Sequence, residues 1–357
     1  MKGFKERNKL SMKIMHLLQS DQFSGAENVV CQICKISECN SNIQMLYVSK
    51  DGPIKKALKE RNIHFYGMKK LNYSNVKKII KEYKPDIIHA HDVSASVLAS
   101  LNKSKKIKII SHMHVNNKNM SRINIKTIVY LLASIFFSHI FWVSNSSFDG
   151  YIFKKFIKNK SSILVNVLNK DDIYERLNKA EITDKKDIIF IGRMQSQKNP
   201  EKLIEILKEL KKINNEFTAA LVGDGILLDE IRKKIKENEL ENNVTLYGYV
   251  DNPLALIHNA KVMVITSRFE GTPMCALEAM ALGTPIISTP IDGMKKLIVN
   301  GENGFLENEN VEFSKKINDL INSEKLREHF SKDTIKKFEN MMNLQKYYKE
   351  ILKYYKE

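Results

Sequence analysis

The sequence predicts an α/β protein with two doubly wound parallel-sheet domains, and three observations support that prediction. The chain has 357 residues, which is more than one ordinary domain and suits two domains of about 150 to 200 residues each. Hydrophobic residues make up 43% of it, enough for two sizeable cores. Strand patterns alternate with helical patterns, which implies parallel sheets with helices on both faces. The alternation starts near Met12 and starts again at Ile188.

The first half of the chain shows this alternation most clearly. Strands are predicted at residues 12–18, 43–48, 63–66, 86–90, 107–114 and 161–168, with helices at 53–61 and 76–83. Gly25 lies in the first strand-to-helix turn, where a ligand can approach the backbone closely. Residues 127–143 carry no formal charge and are near the lower length limit for a membrane span. Polar residues interrupt them, which argues against a span.

The stretch from Ile265 to Pro290 has the most informative pattern in the second half. It predicts a strand, a loop, a helix, a loop and a strand, with Glu270 in the first loop and Glu278 inside the helix. We expect Thr272 to cap this helix and Pro273 to occupy its first turn. The unpaired N–H groups at such a helix start attract anions. A phosphate-binding site with a carboxylate on either side suits a nucleotide sugar.

The cysteines give no indication of a disulfide framework or a metal centre. Cys31 and Cys34 form a C-x-x-C pattern, but no second pair or matching histidines complete a zinc site, and the spacing suits one face of a buried helix. The chain also lacks an Asp-x-Asp sequence for a divalent ion. We therefore expect no metal and no cofactor.

Several motifs of the chain resemble those of retaining glycosyltransferases of family 4 and follow the same order along the sequence. Members of that family include enzymes that build capsular polysaccharides and exopolysaccharides. The donor-site signature of that family is matched by Glu270, Glu278, Ala279, Met280, Gly283, Pro285 and Ile286. The resemblance implies the GT-B fold, in which two Rossmann-like domains face each other across a cleft. It implies an acceptor domain at 1–170, a linker at 171–186, a donor domain at 187–342, and a final helix at about 343–357 that returns to the first domain.

The resemblance also assigns roles to individual residues. Catalytic roles fall to Glu270, His114, Arg193 and Lys198. Donor binding falls to Gly25, Gly192, Arg193, Lys198, Val250, Glu270, Gly271, Thr272, Pro273, Met274 and Glu278. Acceptor binding is assigned to His91, His112 and Asn116. The register of the strand at 107–114 leaves open whether His114 or His112 faces the sugar. Two fixed cations, Arg193 and Lys198, can neutralise a departing diphosphate.

The implied reaction is transfer of a sugar from a nucleoside diphosphate sugar, most simply a UDP-sugar, with retention of configuration. The acceptor would be a glycan or a polyprenyl-pyrophosphate-linked sugar in surface polysaccharide or capsule biosynthesis. No general base is evident, and family chemistry lets the departing phosphate take the acceptor's proton. Two alternatives remain open: an epimerase or phosphorylase on the same fold, and a non-catalytic protein that binds polyanions or nucleotide sugars.

The positive charge of the chain is concentrated in its first half. Residues 1–180 carry a net charge of +18 and residues 181–357 a net charge of −1. This asymmetry fits contact with an anionic membrane surface or a lipid pyrophosphate, and it fits equally a solvated lysine-rich surface. Arg122 and Lys126, beside Tyr130, Phe136 and Phe137, could form an amphipathic membrane contact. No nucleic-acid-binding motif accompanies the charge, and we expect a cytoplasmic protein with peripheral contact at the inner face of the membrane.

Overall fold

The computed structural model describes residues 11–23, 25–114, 118–181 and 183–356. The chain forms two compact units, the first from Met1–Val165 with Gln345–Glu357 and the second from Asn166–Leu344. Of the predicted site residues, Asn116 lies outside the described ranges.

The first unit is built on a parallel sheet in the order β3-β2-β1-β4-β5-β6-β7. Its strands are β1 Met12–Leu17, β2 Ile43–Lys50, β3 Phe65–Met68, β4 Ile87–His91, β5 Lys108–Met113, β6 His139–Trp142 and β7 Ser161–Ile163. Its helices are α1 Gly25–Cys34, α2 Ile36–Cys39, α3 Ile54–Glu60, α4 Tyr73–Tyr83, α5 Asp92–Leu101, α6 Ile125–Ser134, α7 Asn145–Asp149 and α8 Lys154–Ile157, with 3-10 turns at Lys118–Ser121 and Lys158–Lys160.

The second unit repeats this architecture with a parallel sheet in the order β10-β9-β8-β11-β12-β13. Its strands are β8 Ile188–Ile191, β9 Ala219–Val222, β10 Val244–Gly248, β11 Val262–Ile265, β12 Ile286–Ser288 and β13 Gly304–Leu306. Its helices are α9 Lys170–Leu177, α10 Pro200–Lys211, α11 Leu228–Glu237, α12 Leu254–Asn259, α13 Met274–Leu282, α14 Asp292–Lys295, α15 Asn310–Asn322 and α16 Glu324–Met341.

The last helix, α17 (Leu344–Lys356), packs within the first unit. Tyr347, Ile351 and Tyr355 are its buried residues, and the Tyr348 hydroxyl donates a hydrogen bond to the carbonyl oxygen of Gln32 in α1 at 3.1 Å. The buried residues recur at intervals of four, so one stripe of the helix faces the core of the unit.

Each sheet supports its own apolar core, because strands covered on both faces must be apolar on both faces. β11 is buried along its whole length, and α10 contributes six buried residues, Leu203 and Leu207 among them. Several polar side chains lie at the carboxyl ends of strands, among them His91 in β4 and Ser288 in β12. This edge of an open parallel sheet is where ligands bind.

Two predicted elements differ from the structure. The strand expected at 161–168 is only β7, three residues long, because its partner β6 ends at Trp142 and the chain then enters the second unit at Asn166. The polar segment read as a linker at 171–186 contains α9, which is capped by the Asn169 side chain and buries Ile173. One apolar residue and a cap stabilise this helix within the second unit.

Candidate active site

The loop after β8 holds Gly192, Arg193 and Lys198. The stem of Lys198 passes directly over Gly192, where a Cβ atom would lie 3.0 Å from the Cγ and Cδ atoms of the lysine. Gly223, at the end of β9, approaches even more closely, because a Cβ there would lie 2.0 Å from the carbonyl oxygen of Gly192. Its φ of +136° also favours glycine. Small residues thus let the strand ends and the lysine stem pack together.

Lys198 pairs with Glu270, with 2.6 Å between Nζ and Oε1. Only 19% of the lysine side chain and 10% of the glutamate side chain are exposed. The Ser267 hydroxyl donates a second hydrogen bond to the same carboxylate oxygen at 3.0 Å. Burial alone would lower the pKa of Lys198, but the Glu270 carboxylate outweighs burial and raises it. The lysine therefore stays charged at neutral pH.

The two loops that carry this pair are joined through their backbones. The Thr266 hydroxyl donates to the carbonyl oxygens of Lys198 and Asn199 at 3.0 and 2.9 Å. The Arg268 amide donates to the carbonyl oxygen of Gln197 at 2.8 Å. Because both loops follow adjacent strands, β8 and β11, the ion pair has a fixed backbone frame.

Helix α13 begins beside the pair, one residue later than the sequence predicts. Pro273 is its N-cap and makes no side-chain cap, so the expected cap by Thr272 is wrong. The Thr272 carbonyl oxygen instead accepts a hydrogen bond from the Asn166 side chain at 3.3 Å. Pro273 suits the start of a helix because it has no N–H to leave unpaired. The first N–H groups of α13, those of Met274 and Cys275, have no intrahelical acceptor, whereas the Ala276 N–H donates to the Pro273 carbonyl oxygen at 3.1 Å.

Gly271, in the loop before α13, is held close to the next loop of the sheet. A Cβ atom on Gly293 would lie 2.4 Å from the carbonyl oxygen of Gly271. Only a glycine at 293 permits this approach. The loop at 270–273 is therefore held by the close approach of Gly293 as well as by Lys198.

Glu278 is buried inside α13 and has a partner that the sequence did not indicate. The Arg176 guanidinium in α9 lies 3.4 Å from its Oε1 atom. The Asn252 side chain, after β10, donates to the Arg176 carbonyl oxygen at 2.6 Å and fixes the backbone of that residue. No sequence pattern marks Arg176, because it lies in a polar segment whose composition predicts a linker.

Cys275 lies between the two carboxylates in the first turn of α13. Burial raises the pKa of its thiol to about 11; Lys198 acts in the opposite direction, and Glu270 and Glu278 raise it further. The thiol is therefore neutral at pH 7. Lys198, Glu270 and Glu278 thus all act electrostatically on one residue in the first turn of α13.

The remaining predicted donor-side residues are Arg193 and Val250 in the second unit and Gly25 in the first. Arg193 is exposed, and its charge lowers the pKa of Lys198, which places it within electrostatic reach of that lysine. Val250 is half-buried just after β10. Gly25, in the other unit, is the exposed first residue of α1.

The predicted acceptor-side histidines belong to a larger group in the first unit. His91 ends β4, His112 lies in β5, and His114 follows β5, all at the carboxyl edge of the sheet. Nδ1 of His91 and Nε2 of His114 are 2.8 Å apart, and the His112 and His114 rings stack with centroids 4.1 Å apart. Burial lowers the pKa of His114 to about 3, so its imidazole is neutral.

Two segments of the chain match models of glycosyltransferase domains. Residues 171–337 match the model described as "Glycosyl transferases group 1", and residues 28–141 match the one described as "Glycosyl transferase 4-like". The first segment contains the Lys198, Glu270 and Glu278 stretches, and the second contains β4 and β5. Both units thus carry matched sequence.

Curated relatives match parts of the chain. An uncharacterized glycosyltransferase of Methanocaldococcus jannaschii is 30% identical over 205 residues, which are 55% of this chain and 55% of that protein. The poly(ribitol-phosphate) alpha-N-acetylglucosaminyltransferase of Staphylococcus aureus is 34% identical over 143 residues, 39% of this chain and 29% of that protein. The chain therefore spans about half or less of the length of these relatives.

Solved structures match nearly the whole chain. Anabaena HepE in complex with UDP and glucose has a TM-score of 0.83 at 20% identity, covering 97% of this chain and 99% of that chain. A Staphylococcus aureus TarM variant in complex with fondaparinux, alpha-GlcNAc-glycerol and UDP has a TM-score of 0.78 at 15% identity, covering 96% and 99%. With the two parallel sheets, this likeness shows the GT-B fold and confirms the predicted fold class.

None of the helices within the described ranges has the length and apolar character needed to cross a bilayer. The uncharged stretch at 127–143 is divided between α6 and β6.

Proposed function

We propose that this protein is a retaining glycosyltransferase that transfers a sugar from a UDP-sugar. The observation that carries the proposal is the buried Lys198–Glu270 pair beside the start of α13. A cation and free helix amides favour a diphosphate, and a carboxylate beside them favours sugar hydroxyls. The complexes of HepE and TarM with UDP support the choice of nucleotide.

Each donor-side residue has a distinct part in the proposal. Lys198 and Arg193 neutralise the departing diphosphate together with the amides from Gly271 to Met274. Glu270 holds hydroxyls of the donor sugar, and Glu278 holds the ribose. Arg176 holds the Glu278 carboxylate in position through their ion pair. Val250 lies against the base, and Gly192 leaves room for the lysine stem.

We assign the acceptor side to the first unit. His114 contacts the reacting face of the sugar, with His91 and His112 behind it and Gly25 facing the donor phosphates. A neutral imidazole can donate a hydrogen bond without repelling the positive charge that develops on the sugar. The departing phosphate takes the acceptor's proton, so the reaction needs no protein base, nucleophile or metal ion.

The acceptor we propose is a glycan or a polyprenyl-pyrophosphate-linked sugar, in the assembly of surface polysaccharide. Relatives named for poly(glycerol-phosphate) and poly(ribitol-phosphate) substrates support a phosphate-rich acceptor. The net charge of +18 on residues 1–180 suits such an anionic partner.

An exposed apolar surface in the first unit supports a peripheral membrane contact. One face of α6 and the two residues that follow it expose large apolar side chains to solvent: Ile125, Ile128, Val129, Leu132, Ile135 and Phe136. The aromatic residues expected there behave differently, because Tyr130 and Phe137 are buried in the core of the unit. We therefore assign the membrane contact to the exposed aliphatic residues and Phe136.

Cations border this apolar face. Lys126 and Arg122 are exposed at its start, and Nζ of Lys103 lies 3.5 Å from the centroid of the Phe136 ring. Apolar side chains bordered by lysine and arginine suit an anionic bilayer, where the apolar groups enter and the cations meet the headgroups. We therefore include peripheral contact with an anionic membrane in the proposal.

The decisive experiment is a product analysis with the full-length chain. UDP-glucose, UDP-galactose and UDP-N-acetylglucosamine are incubated with and without a lipid-linked or glycan acceptor, and the linkage formed is determined by NMR. We expect acceptor-dependent release of UDP and a product with the donor's anomeric configuration. Inversion would overturn the retaining assignment, and conversion of the donor without acceptor would favour an epimerase.

The same assay tests the leaving-group assignment. Lys198→Ala should lower turnover about 10²- to 10³-fold, as for removal of one group that stabilises a developing oxyanion. Lys202→Ala is the matched control, because Lys202 binds the Asn308 carbonyl oxygen at 2.6 Å on the flank of α10 and takes no part in the proposal. Near-normal turnover of a folded Lys198→Ala protein would exclude the assignment.

A further inference from the structure

Five histidines lie together on one face of the sheet in the first unit. His16 comes from β1, His89 and His91 from β4, and His112 and His114 from β5 and its end. His16 is the register partner of His89, and His91 of His112, so their side chains point to the same face. At most 8% of any of them is exposed. A sheet face buried under helices is ordinarily filled by aliphatic residues.

Hydrogen bonds within the described ranges do not satisfy this group. Nε2 of His16, Nε2 of His89 and both ring nitrogens of His112 are buried and have no partner among the described residues. A buried polar atom without a partner costs about 1–3 kcal/mol. Several such atoms in one place indicate a ligand that accepts or shares imidazole lone pairs.

The bonds that are made orient the remaining nitrogens. Nδ1 of His89 lies 2.7 Å from the Tyr355 hydroxyl oxygen, which leaves Nε2 of His89 to face the group. Nδ1 of His91 lies 2.8 Å from Nε2 of His114, and Nε2 of His91 lies 3.1 Å from Nδ1 of His16. His89, held by Tyr355, and His91, held by His114, have the arrangement of metal-binding histidines, in which the second nitrogen of the ring has an outer partner. Nε2 of His91 and Nδ1 of His16 face each other, and an ion between them would replace their hydrogen bond.

We propose that His16, His89 and His91 bind one divalent transition-metal ion of the zinc class. One ring nitrogen from each lies within 4.8 Å of the others. In a tetrahedral site with metal–nitrogen bonds of about 2.0–2.1 Å, the ligand nitrogens lie roughly 3.3 Å from one another. Small rotations of the imidazole rings would bring the three nitrogens to that separation. Imidazole nitrogen favours Zn²⁺, Cu²⁺ and Ni²⁺ over Mg²⁺ and Ca²⁺.

A further feature supports an ion at this position. Tyr355 belongs to α17, so the ion would also stabilise the packing of the last helix on the sheet. The site lies wholly within the first unit, and it goes beyond the proposed transferase function.

An ion on Nε2 of His91 would set the tautomer of His114. The His91 proton must then reside on Nδ1 and be donated to Nε2 of His114, so His114 carries its own proton on Nδ1. That nitrogen is buried and has no partner among the described residues. The ion would thus prepare His114 to donate a hydrogen bond. This consequence rests on the proposed role of His114, whereas the metal site itself does not.

The test uses the untagged full-length chain, stripped of metal with a chelator and titrated with Co²⁺ and then Zn²⁺ in the absence of any sugar nucleotide. We expect one equivalent of Co²⁺ per chain, with the visible absorption of a four- or five-coordinate ion, displaced by Zn²⁺. X-ray absorption of the zinc-loaded protein should show three imidazoles. Failure to bind, or a shell with fewer than two imidazoles, would overturn the proposal.

Variants locate the ion. Tyr355→Phe keeps the ring and removes only the outer hydrogen bond to His89, and should weaken metal binding 10- to 100-fold. His89→Gln should weaken it at least as much. His139→Gln, on the same sheet but outside the group, and His329→Gln, at an exposed position of α16, should bind as the wild type does. Unchanged binding in both Tyr355→Phe and His89→Gln, or loss of binding in His329→Gln, would refute the assignment.

Discussion

At the scale of single residues, the Lys198–Glu270 pair has to be stable before any donor binds. Both side chains are largely removed from water, so each charge depends on the other for compensation. Removing one partner therefore has two effects, on stability and on turnover. The two effects can be separated. The proposed chemistry needs the Lys198 ammonium group itself, whereas stability requires only that neither side chain is a buried charge without a counter-ion.

A double substitution separates these effects. Lys198→Ala should destabilise the protein by about 1–3 kcal/mol, because it leaves the Glu270 carboxylate buried without its cation. Adding Glu270→Gln should recover much of that loss, since the amide carries no charge, but turnover should stay low. Differential scanning calorimetry and the transfer assay measure the two quantities. Recovery of turnover in the double variant would mean that Lys198 serves stability alone.

Gly192 gives a subtler test of the lysine position. In Gly192→Ala the new methyl would lie 3.0 Å from the Cγ and Cδ atoms of Lys198, so the flexible stem has to move while the backbone stays. We expect a small change in melting temperature and a fall in turnover of roughly tenfold, consistent with about 1.4 kcal/mol of lost transition-state stabilisation. A loss of stability with unchanged turnover per folded molecule would contradict this account.

At the scale of elements, the orientation of α6 decides which residues can meet a membrane. Thr127, Tyr130, Ala133 and Ser134 face the core, and the opposite face exposes a stripe that includes Ile128 and Leu132. The helix is anchored at its start by a capping box between Asn124 and Thr127. The apolar stripe is therefore held at the surface by the packing of its other side.

Charge substitutions on this stripe test the membrane contact. Ile128→Glu with Leu132→Glu should abolish flotation with anionic liposomes at low salt, because it places two anions against the headgroups. The wild type should float with anionic liposomes, and less so at high salt. Ile213→Glu with Ile226→Glu, which alters two exposed isoleucines of the second unit, is the matched control and should float like the wild type. A wild type that does not float would exclude the contact.

At the scale of the whole molecule, the first unit carries a set of buried neutral histidines that makes its stability sensitive to acid. His139 in β6 is the clearest example outside the proposed metal site. It stacks on Tyr354 with centroids 3.6 Å apart, and its Nε2 atom is 2.8 Å from the Ser162 hydroxyl oxygen. Burial lowers its pKa to about 4, with Lys353 and Lys108 adding to the effect. In the unfolded chain the pKa returns to about 6.5.

The sign of the pH effect follows from these two pKa values. Between pH 6.5 and 4 the unfolded state binds the proton and the folded state does not, so stability is full above pH 6.5 and falls as the pH drops toward 4. One such group contributes a slope of about 1.4 kcal/mol per pH unit. His139→Gln should reduce the slope by that amount. Urea unfolding at several pH values, followed by fluorescence of the single tryptophan, Trp142 in β6, measures it. An unchanged slope would contradict the assignment.

The fold class could be read from the sequence because its evidence is local. Strand and helix periodicities are properties of short segments, and the strand–loop–helix pattern around Glu270 and Glu278 specifies a helix start at a sheet edge whatever lies elsewhere. The helix start was misplaced by one residue, since Thr272 and Pro273 both suit a cap and the choice depends on the surrounding loop. Local sequence signals predict the type of an element more reliably than they predict the residue at which it begins.

The tertiary structure decided which residues that are distant in the chain come into contact. Arg176 meets Glu278 across 102 positions, and His16 meets His91 across 75, and neither pair has a local signature. The same holds for the side of α6 that is exposed, because either face of an apolar helix could be buried. The sequence alone thus determined the two parallel sheets and the residues of the donor motif. Packing decided which side chains lie side by side, since distance in space is set by the sheet order and not by position along the chain.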